Sequence, residues 1–195
     1  MKIKICFLSL FFVQFLVAQT KLHYNIVSNS YKIGDLYVSK SQNGDETVYQ
    51  AKSKTEIKLF VKVEVSYNLD VIYKNKQLLF SSISTYLNGK LHTNTTAEKS
   101  KNGYILVNNE HQNRLFKEIT YSGVKLYFNE PKNISLVFSE FYNSFNPIKK
   151  ISNHKYLLTN SENGNTSEYY YQKGILTKAV IHHTLMTFNL ILNAN

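Results

Sequence analysis

Six histidines are the residues of this sequence that could coordinate a metal ion or transfer protons. They are spread along the chain, at His23, His92, His111, His154, His182 and His183. A zinc site needs several ligands that converge on one point. Adjacent residues of a strand point to opposite faces, so His182 and His183 cannot chelate one ion together. We therefore expect polar surface or half-buried histidines and no metal site.

Two carboxylates in aromatic surroundings, Glu130 and Glu140, could act as a general acid and base. They are ten residues apart, and nothing else completes a site by position and role. The sequence contains no G-x-S-x-G, no H-E-x-x-H, no phosphate-binding glycine loop and no dinucleotide fingerprint. A hydrolase that uses Ser139, Glu140 or a histidine is therefore a third hypothesis. We expect a protein with no catalytic residues, no cofactor and no enzymatic activity.

The aromatic content suggests a binding site of another kind, since the chain has 15 tyrosines, 12 phenylalanines and no tryptophan. Ordinary core packing explains many of them, because aromatic residues favour strands and bury large areas. The alternative is an apolar cavity between a curved sheet and a covering segment, which would hold a lipid-like ligand. Its glutamates would orient the polar head of that ligand. The residues expected to line it are Tyr127, Phe128, Glu130, Phe138, Glu140 and Phe141.

The formal charge of +10 does not indicate nucleic-acid binding. The basic residues are scattered, and Arg114 is the sole arginine, whereas nucleic-acid readers use arginine forks and clustered patches. A lysine-rich surface keeps a β protein soluble and protects the edges of its sheet.

The N-terminus has the form of a secretory signal peptide. Lys2 and Lys4 precede an apolar run over residues 5–17, and the small residue Ala18 follows. The run is shorter than the roughly 20 residues of a membrane helix. We expect a signal peptide over residues 1–19, cleaved near Ala18 or Gln19, and a periplasmic or secreted protein that does not span the membrane.

The mature chain, residues 20–195, has the length of one domain. Cys6 lies inside the predicted signal peptide, so the mature protein has no thiol and no disulfide. It must be stabilised by its core alone.

The hydrophobic pattern predicts a β-sheet. From Ile57 to Tyr73 every odd position is apolar or aromatic, which is the period of a strand with one buried face. This run is longer than the usual ~10 residues of a strand, so we expect a bend or bulge near Phe60. Gly34, inside another run, indicates a bulge or a close approach. Asn-Gly pairs at 43, 88, 102 and 163 predict up-and-down antiparallel connections.

The alternation is lost between residues 114 and 147, where we expect one or two short helices. Apolar residues from Ile134 to Phe145 follow helical spacing, Asn133 could cap the N-terminus, and Pro147 could end the helix. Residues 119–128 could form another. The predicted fold is mainly β: a strongly curved antiparallel meander forming an incomplete, open barrel, covered by this insert.

Several short motifs resemble an uncharacterised family of small exported proteins from low-GC Gram-negative bacteria, which is known only as a domain of unknown function. The segments are 24–26 (Tyr-Asn-Ile), 33–36 (Ile-Gly-Asp-Leu), 86–90 (Tyr-Leu-Asn-Gly-Lys), 126–131 (Leu-Tyr-Phe-Asn-Glu-Pro), 137–140 (Val-Phe-Ser-Glu) and 171–176 (Tyr-Gln-Lys-Gly-Ile-Leu). The chain is also similar, more remotely, to periplasmic open-barrel proteins such as lipoprotein carriers. Neither resemblance implies catalytic residues or a particular ligand.

The leading hypothesis is a non-enzymatic binding or scaffolding protein of the cell envelope, with an apolar ligand between the sheet and the insert. The alternative is a structural or protein-interaction module, in which lysine-rich sheet edges, or an exposed edge such as residues 91–99, pair with another envelope protein.

Overall fold

The computed structural model of the protein describes residues 18–58, 62–182 and 186–193. These residues form fourteen β-strands and one 3-10 helix. The strands are β1 (Ala18–Ser28), β2 (Tyr31–Asn43), β3 (Glu46–Lys58), β4 (Lys62–Lys74), β5 (Gln77–Leu87), β6 (Lys90–Ser100), β7 (Gly103–Asn108), β8 (His111–Leu115), β9 (Leu136–Ser139), β10 (Ser144–Ser152), β11 (Lys155–Thr159), β12 (Thr166–Gln172), β13 (Ile175–His182) and β14 (Thr187–Leu192). The 3-10 helix is Gly123–Tyr127.

All fourteen strands belong to one antiparallel sheet that is not closed. Strands that follow one another in sequence pair, except β8 and β9, and β1 also pairs with β14. The sheet therefore consists of two meanders, β1–β8 and β9–β14, which are joined where β1 pairs with β14. β8 and β9 are the outer strands. The predicted antiparallel meander and its incomplete closure are confirmed.

Tight turns explain the up-and-down topology. Asn88 and Gly89 both have positive φ, at 49° and 78°, and join β5 to β6 with a two-residue loop. Positive φ at both central residues is the geometry of a type I′ turn, which Asn-Gly pairs favour and whose twist matches that of a hairpin. Several β-bulges, such as the one between Ile26 and Val27, add twist to the long strands.

The odd-numbered face of the 57–73 run is buried toward its C-terminal end, where Leu69, Val71 and Tyr73 are almost fully enclosed, whereas Val63, Val65 and Tyr67 are half-buried. The run is not one bent strand, however. β3 and β4 pair antiparallel down to Lys58 and Lys62, so the chain reverses direction between them. The pattern could not reveal this, because the apolar phase is the same on both strands of the hairpin. The bend predicted near Phe60 falls outside the described residues.

The segment that joins β8 to β9, residues 116–135 (the inner linker), runs through the space that the sheet surrounds. Its 3-10 helix contacts β3, β9 and β13, which are far apart in the strand order. Val124, Leu126 and Phe128 of this segment are buried. The sheet must therefore curve around the linker, which fills part of its interior.

The predicted α-helices are not confirmed. Residues 133–147 form β9, a turn and the first part of β10, and Asn143 takes a positive φ of 53° in that turn. Within 119–128 there is only the 3-10 helix. The adjacent residues Val137 and Phe138 point to opposite faces of β9 and are both buried, so the apolar spacing imitates a helix.

The segment 91–99, predicted as an exposed edge, is only in part an edge. It belongs to β6, which pairs with β5 along its length, whereas the register with β7 covers residues 95–100. The strand with an unpaired edge at this end of the sheet is β8.

The predicted signal peptide lies outside the described residues, except for Ala18 and Gln19, which begin β1. In the described part of the chain, no helix is long and apolar enough to cross a bilayer.

Gly34 provides a direct test of the strand packing. A Cβ at this position would lie 2.3 Å from the backbone oxygen of Lys54 and 2.8 Å from Cα of Thr55. We expect Gly34→Ala to force β2 and β3 apart and to lower the free energy of unfolding by about 1–3 kcal/mol or more, as measured by urea denaturation.

The matched control is Gly44→Ala. No atom lies within 4 Å of a Cβ there, so only its positive φ of 60° opposes alanine, at a cost of about 1–2 kcal/mol. Equal stability of Gly34→Ala and the wild-type protein would show that the close approach of the strands is wrong.

Candidate functional site

A cavity of about 250 Å³ lies inside the sheet, between the inner linker and the β9–β10 hairpin. Side chains from both meanders form its walls. On the sheet these include Tyr67, Leu69, Ile83, Leu158, Tyr169 and Leu190. Since mostly apolar and aromatic side chains line it, the cavity has the composition of a small-molecule binding site.

The structure brings four of the six predicted site residues to this cavity. Tyr127 belongs to the 3-10 helix, Phe138 to β9, and Glu140 and Phe141 to the turn that follows β9. Val124 and Leu126, from the same 3-10 helix, complete this side of the wall.

Glu140 is the buried charged residue of the cavity, with 5% of its surface exposed. Its carboxylate accepts hydrogen bonds from the backbone N–H groups of Gly123 and Val124, both at 3.1 Å, and from the Ser122 hydroxyl. The Tyr73 hydroxyl in turn donates to Ser122, at 2.8 Å. The turn after β9 is thereby tied to the 3-10 helix and to β4.

Burial raises the pKa of the Glu140 carboxyl above its ordinary value, and the hydrogen bonds from Ser122, Val124 and Gly123 only partly oppose this. Burial also raises the pKa of Tyr67, Tyr127 and Tyr169, the last to about 12, and the nearby Glu140 charge adds to each effect. The carboxyl group and the three phenols all line this one cavity.

Another part of the cavity wall is polar and reaches the surface. Asn160, Asn163, Asn165 and Ser167, in and after the β11–β12 loop, contribute to the wall. Asn163 is exposed, and its amide lies 3.5 Å from the Tyr142 hydroxyl. A ligand could enter here with its polar end toward the loop.

The other two predicted residues, Phe128 and Glu130, lie elsewhere. The Phe128 ring packs on that of Tyr49, with centroids 5.7 Å apart. Glu130, with a side chain 3% exposed, accepts hydrogen bonds from the Tyr156 hydroxyl at 2.9 Å and from His154 Nδ1 at 3.1 Å. Burial would raise the pKa of Glu130, but these hydrogen bonds and the nearby positive charges outweigh it, so the pKa is lowered. Glu130 fastens the linker to β11.

The described histidines do not converge on one point. His23 contacts Asp35 at 2.6 Å and stacks on Tyr37, whereas His154 contacts Glu130. Ser139 accepts a hydrogen bond from the backbone N–H of Tyr142, at 3.2 Å. Over the described ranges, no group of three or more His, Asp or Glu side chains could hold a metal ion. His183 is outside those ranges.

A larger open groove, about 1090 Å³, lies beside β2 and β3 and contains none of the predicted residues. Its charges are mixed, and several neutralise one another: Lys32 contacts Asp35 at 2.6 Å and Lys54 contacts Glu64 at 2.8 Å. The groove has no buried ionisable group comparable to Glu140.

Sequence reasoning missed the part of the cavity that the sheet provides. Leu69 and Ile83 lie on the inward phase of β4 and β5, so the alternation could have indicated that they face the interior. Nothing in the sequence could have indicated that Leu158 and Leu190, from the second meander, face the same space.

Comparison with known proteins agrees with the architecture. A family model described as domain of unknown function DUF6134 matches residues 24–193. The fold is similar to that of a beta-barrel-like protein of the domain of unknown function DUF1849 from Brucella abortus, with a TM-score of 0.53 and 8% sequence identity over 91% of this chain and 96% of that chain. The comparison with curated proteins gave no match. The expected resemblance to an uncharacterised domain with an open-barrel fold is confirmed.

The raised pKa of Glu140 has a consequence for stability. The folded protein retains this proton to higher pH than the unfolded chain, whose value is near 4.5. The contribution of Glu140 to stability is therefore complete below about pH 4.5 and is lost as pH rises through the folded pKa, with a slope of at most about 1.4 kcal/mol per pH unit. We expect Glu140→Gln to remove this slope, as measured by urea denaturation from about pH 4 to about pH 8.

Glu168→Gln is the control. Hydrogen bonds from Tyr170 and Lys155 lower the pKa of Glu168, so its contribution is lost only as pH falls through that lowered pKa. The control should keep the slope of the wild-type protein. A Glu140→Gln protein with an unchanged pH profile would contradict the assignment to Glu140.

Proposed function

Because the chain belongs to the DUF6134 family of domains of unknown function, we propose its function from the cavity: it is an exported, non-enzymatic binding protein of the cell envelope. The ligand is a small amphipathic molecule whose apolar part occupies the cavity inside the sheet. The observation that carries this proposal is the cavity lined by aromatic residues between the inner linker and the β9–β10 hairpin.

The size of the cavity limits the ligand. An apolar cavity of about 150 Å³ is large enough for benzene, and pockets for drug-sized molecules begin near about 300 Å³. At about 250 Å³ the cavity fits a small molecule, or one end of a longer one, better than a complete lipid. Tyr127, Phe138 and Phe141 would contact its apolar part.

The arrangement of polar groups supports binding over catalysis. Glu140 is fully engaged by Ser122, Gly123 and Val124, and within the described residues no serine and histidine approach each other as a nucleophile and base would. Export is supported by the signal-like N-terminal segment, residues 1–19.

Filling the cavity tests this proposal. Leu158 is 8% exposed and lines the cavity, so Leu158→Phe should fit without loss of stability and should exclude the ligand. We expect native mass spectrometry of protein purified from its own envelope to show a bound small molecule in the wild-type protein and at least tenfold less in the variant.

The matched control is Leu78→Phe. Leu78 is 0% exposed and does not line the cavity, so the same substitution should lower the free energy of unfolding by about 1–3 kcal/mol through overpacking. The folded fraction of this control should retain the ligand. A wild-type protein that carries no small molecule, together with equal destabilisation by both variants, would contradict the proposal.

The free edge of β8 favours a second function, contact with another envelope protein. Residues 111–114 are exposed, and the nearby Phe116 is 75% exposed. Among the described strands β8 pairs only with β7, so its outer edge presents unpaired backbone groups that an extended strand of a partner could bond.

Proline at Gln112 tests this second function. His111 pairs with Asn108 across a two-residue turn, so the N–H of the next residue, Gln112, points away from β7. Gln112→Pro should abolish a partner crosslinked at β8 in intact cells, whereas Gln112→Ala, which keeps the N–H, should not. Crosslinking that persists in the proline variant would exclude pairing at this edge.

A further inference from the structure

The charge of the cavity wall identifies the class of ligand. The chain has 23 lysines and arginines against 13 acidic residues. Yet none of the described residues that line the cavity is lysine or arginine, and its ionisable side chains, apart from tyrosines, are Glu140 and His182. His182 lies at the exposed end, where its ring contacts Thr187 at 3.1 Å. The described wall therefore carries a carboxyl group and neither lysine nor arginine, in a protein that is basic overall.

Glu140 has no described partner of opposite charge within ion-pair distance. Its hydrogen-bond donors, Ser122, Gly123 and Val124, are all neutral. The nearby Lys125 is held elsewhere, because its Nζ donates to the Thr120 carbonyl at 2.7 Å and lies 3.5 Å from the Tyr73 ring centroid. Buried carboxyl groups that keep their charge are normally paired with a cation. The missing counter-charge is what a ligand could supply.

The remaining walls of the cavity also suit a cation. Aromatic faces attract a positive charge that lies within about 6 Å of the ring, and rings arranged as a cage recognise quaternary ammonium groups. Six aromatic residues line this cavity: Tyr67, Tyr127, Phe138, Phe141, Tyr142 and Tyr169. Three of them, Tyr67, Tyr127 and Tyr169, also lie within the field of Glu140.

The volume is adequate for such a group. A water molecule occupies roughly 30 Å³ of the liquid, so about 250 Å³ corresponds to about eight water-sized groups. A trimethylammonium or alkylammonium head with a short chain is of this size. The head would lie beside Glu140, and a chain would extend toward the opening at Asn163.

We propose that this cavity binds a small organic cation, an ammonium or quaternary ammonium head, with Glu140 as its counter-charge and the aromatic rings as its walls. This inference rests on the proposed function, because it specifies the ligand of the same cavity. The source of the cation is either a free amine or a lipid head group, and both present the same chemistry.

Choline and its neutral isostere 3,3-dimethylbutan-1-ol test the inference, because they differ in charge and not in shape. Binding is measured by calorimetry and by tyrosine fluorescence, which no tryptophan obscures. We expect the wild-type protein to bind choline at least tenfold more tightly than the alcohol. A choline-headed lysolipid that binds more tightly than choline identifies a lipid as the source, and a weaker one identifies a free amine.

Two variants separate the contributions to binding. Glu140→Gln should reduce the affinity for choline to that for the alcohol, whereas Glu130→Gln, outside the cavity, should leave both unchanged. Phe141→Leu keeps the wall apolar and removes one aromatic ring. It should therefore lower the affinity for choline several-fold and change the affinity for the alcohol little. Phe141→Leu keeps the test decisive if Glu140→Gln does not fold.

The outcomes distinguish this inference from the proposed function. Equal binding of choline and the alcohol, unchanged by Glu140→Gln and Phe141→Leu, would overturn the cation and leave a neutral-ligand cavity. Failure of both probes to bind, with no bound molecule in protein from its own envelope, would overturn both.

Discussion

The structure depends on one constraint: an irregular segment of backbone, residues 116–135, runs through the interior of a curved sheet. Backbone N–H and C=O groups that are buried without partners cost free energy comparable to a lost hydrogen bond. A strand obtains its partners from its neighbours, but an irregular linker needs other donors and acceptors. Glu140 supplies acceptors for Gly123 and Val124, and the backbone of β5 supplies a donor, from Leu78 to the carbonyl of Ile119 at 2.9 Å.

This constraint explains why tyrosine is so abundant in the core. A tyrosine buries a large apolar ring and carries a hydroxyl that can reach a carbonyl which the sheet leaves unpaired. Tyr171 donates to the carbonyl of Leu126 in the linker, Tyr24 to that of Leu176, and Tyr104 to that of Leu78, at 2.8–3.0 Å. Phenylalanine at these positions would fill the same space and leave those carbonyls without partners. The aromatic composition therefore serves the interior of the fold as well as the cavity.

The same arrangement leaves space beside Glu140. The turn of the β9–β10 hairpin is hydrogen-bonded to the sheet, since the Asn143 amide donates to the carbonyls of Thr96 and Val107. Because these contacts fix the backbone on one side and the continuous ladder fixes it on the other, the side chains between them do not fill the volume. The cavity is thus a product of polar contacts that position backbone.

The sequence by itself determined the class of the fold, because a period of two and Asn-Gly turns are local properties of the chain. It also identified Tyr127, Phe138, Glu140 and Phe141 as aromatic and acidic residues within one insert, and the structure places them together. The sequence was misleading over residues 133–147. There both faces of β9 are buried, so that the adjacent residues Val137 and Phe138 are both apolar, and the resulting spacing is that of a helix. Only the tertiary structure decided that β3 and β4 form a hairpin, that β1 pairs with β14, and that Leu158 and Leu190 face Glu140. These contacts join residues far apart in the chain, and their partners are set by the curvature of the whole sheet, which no local pattern encodes.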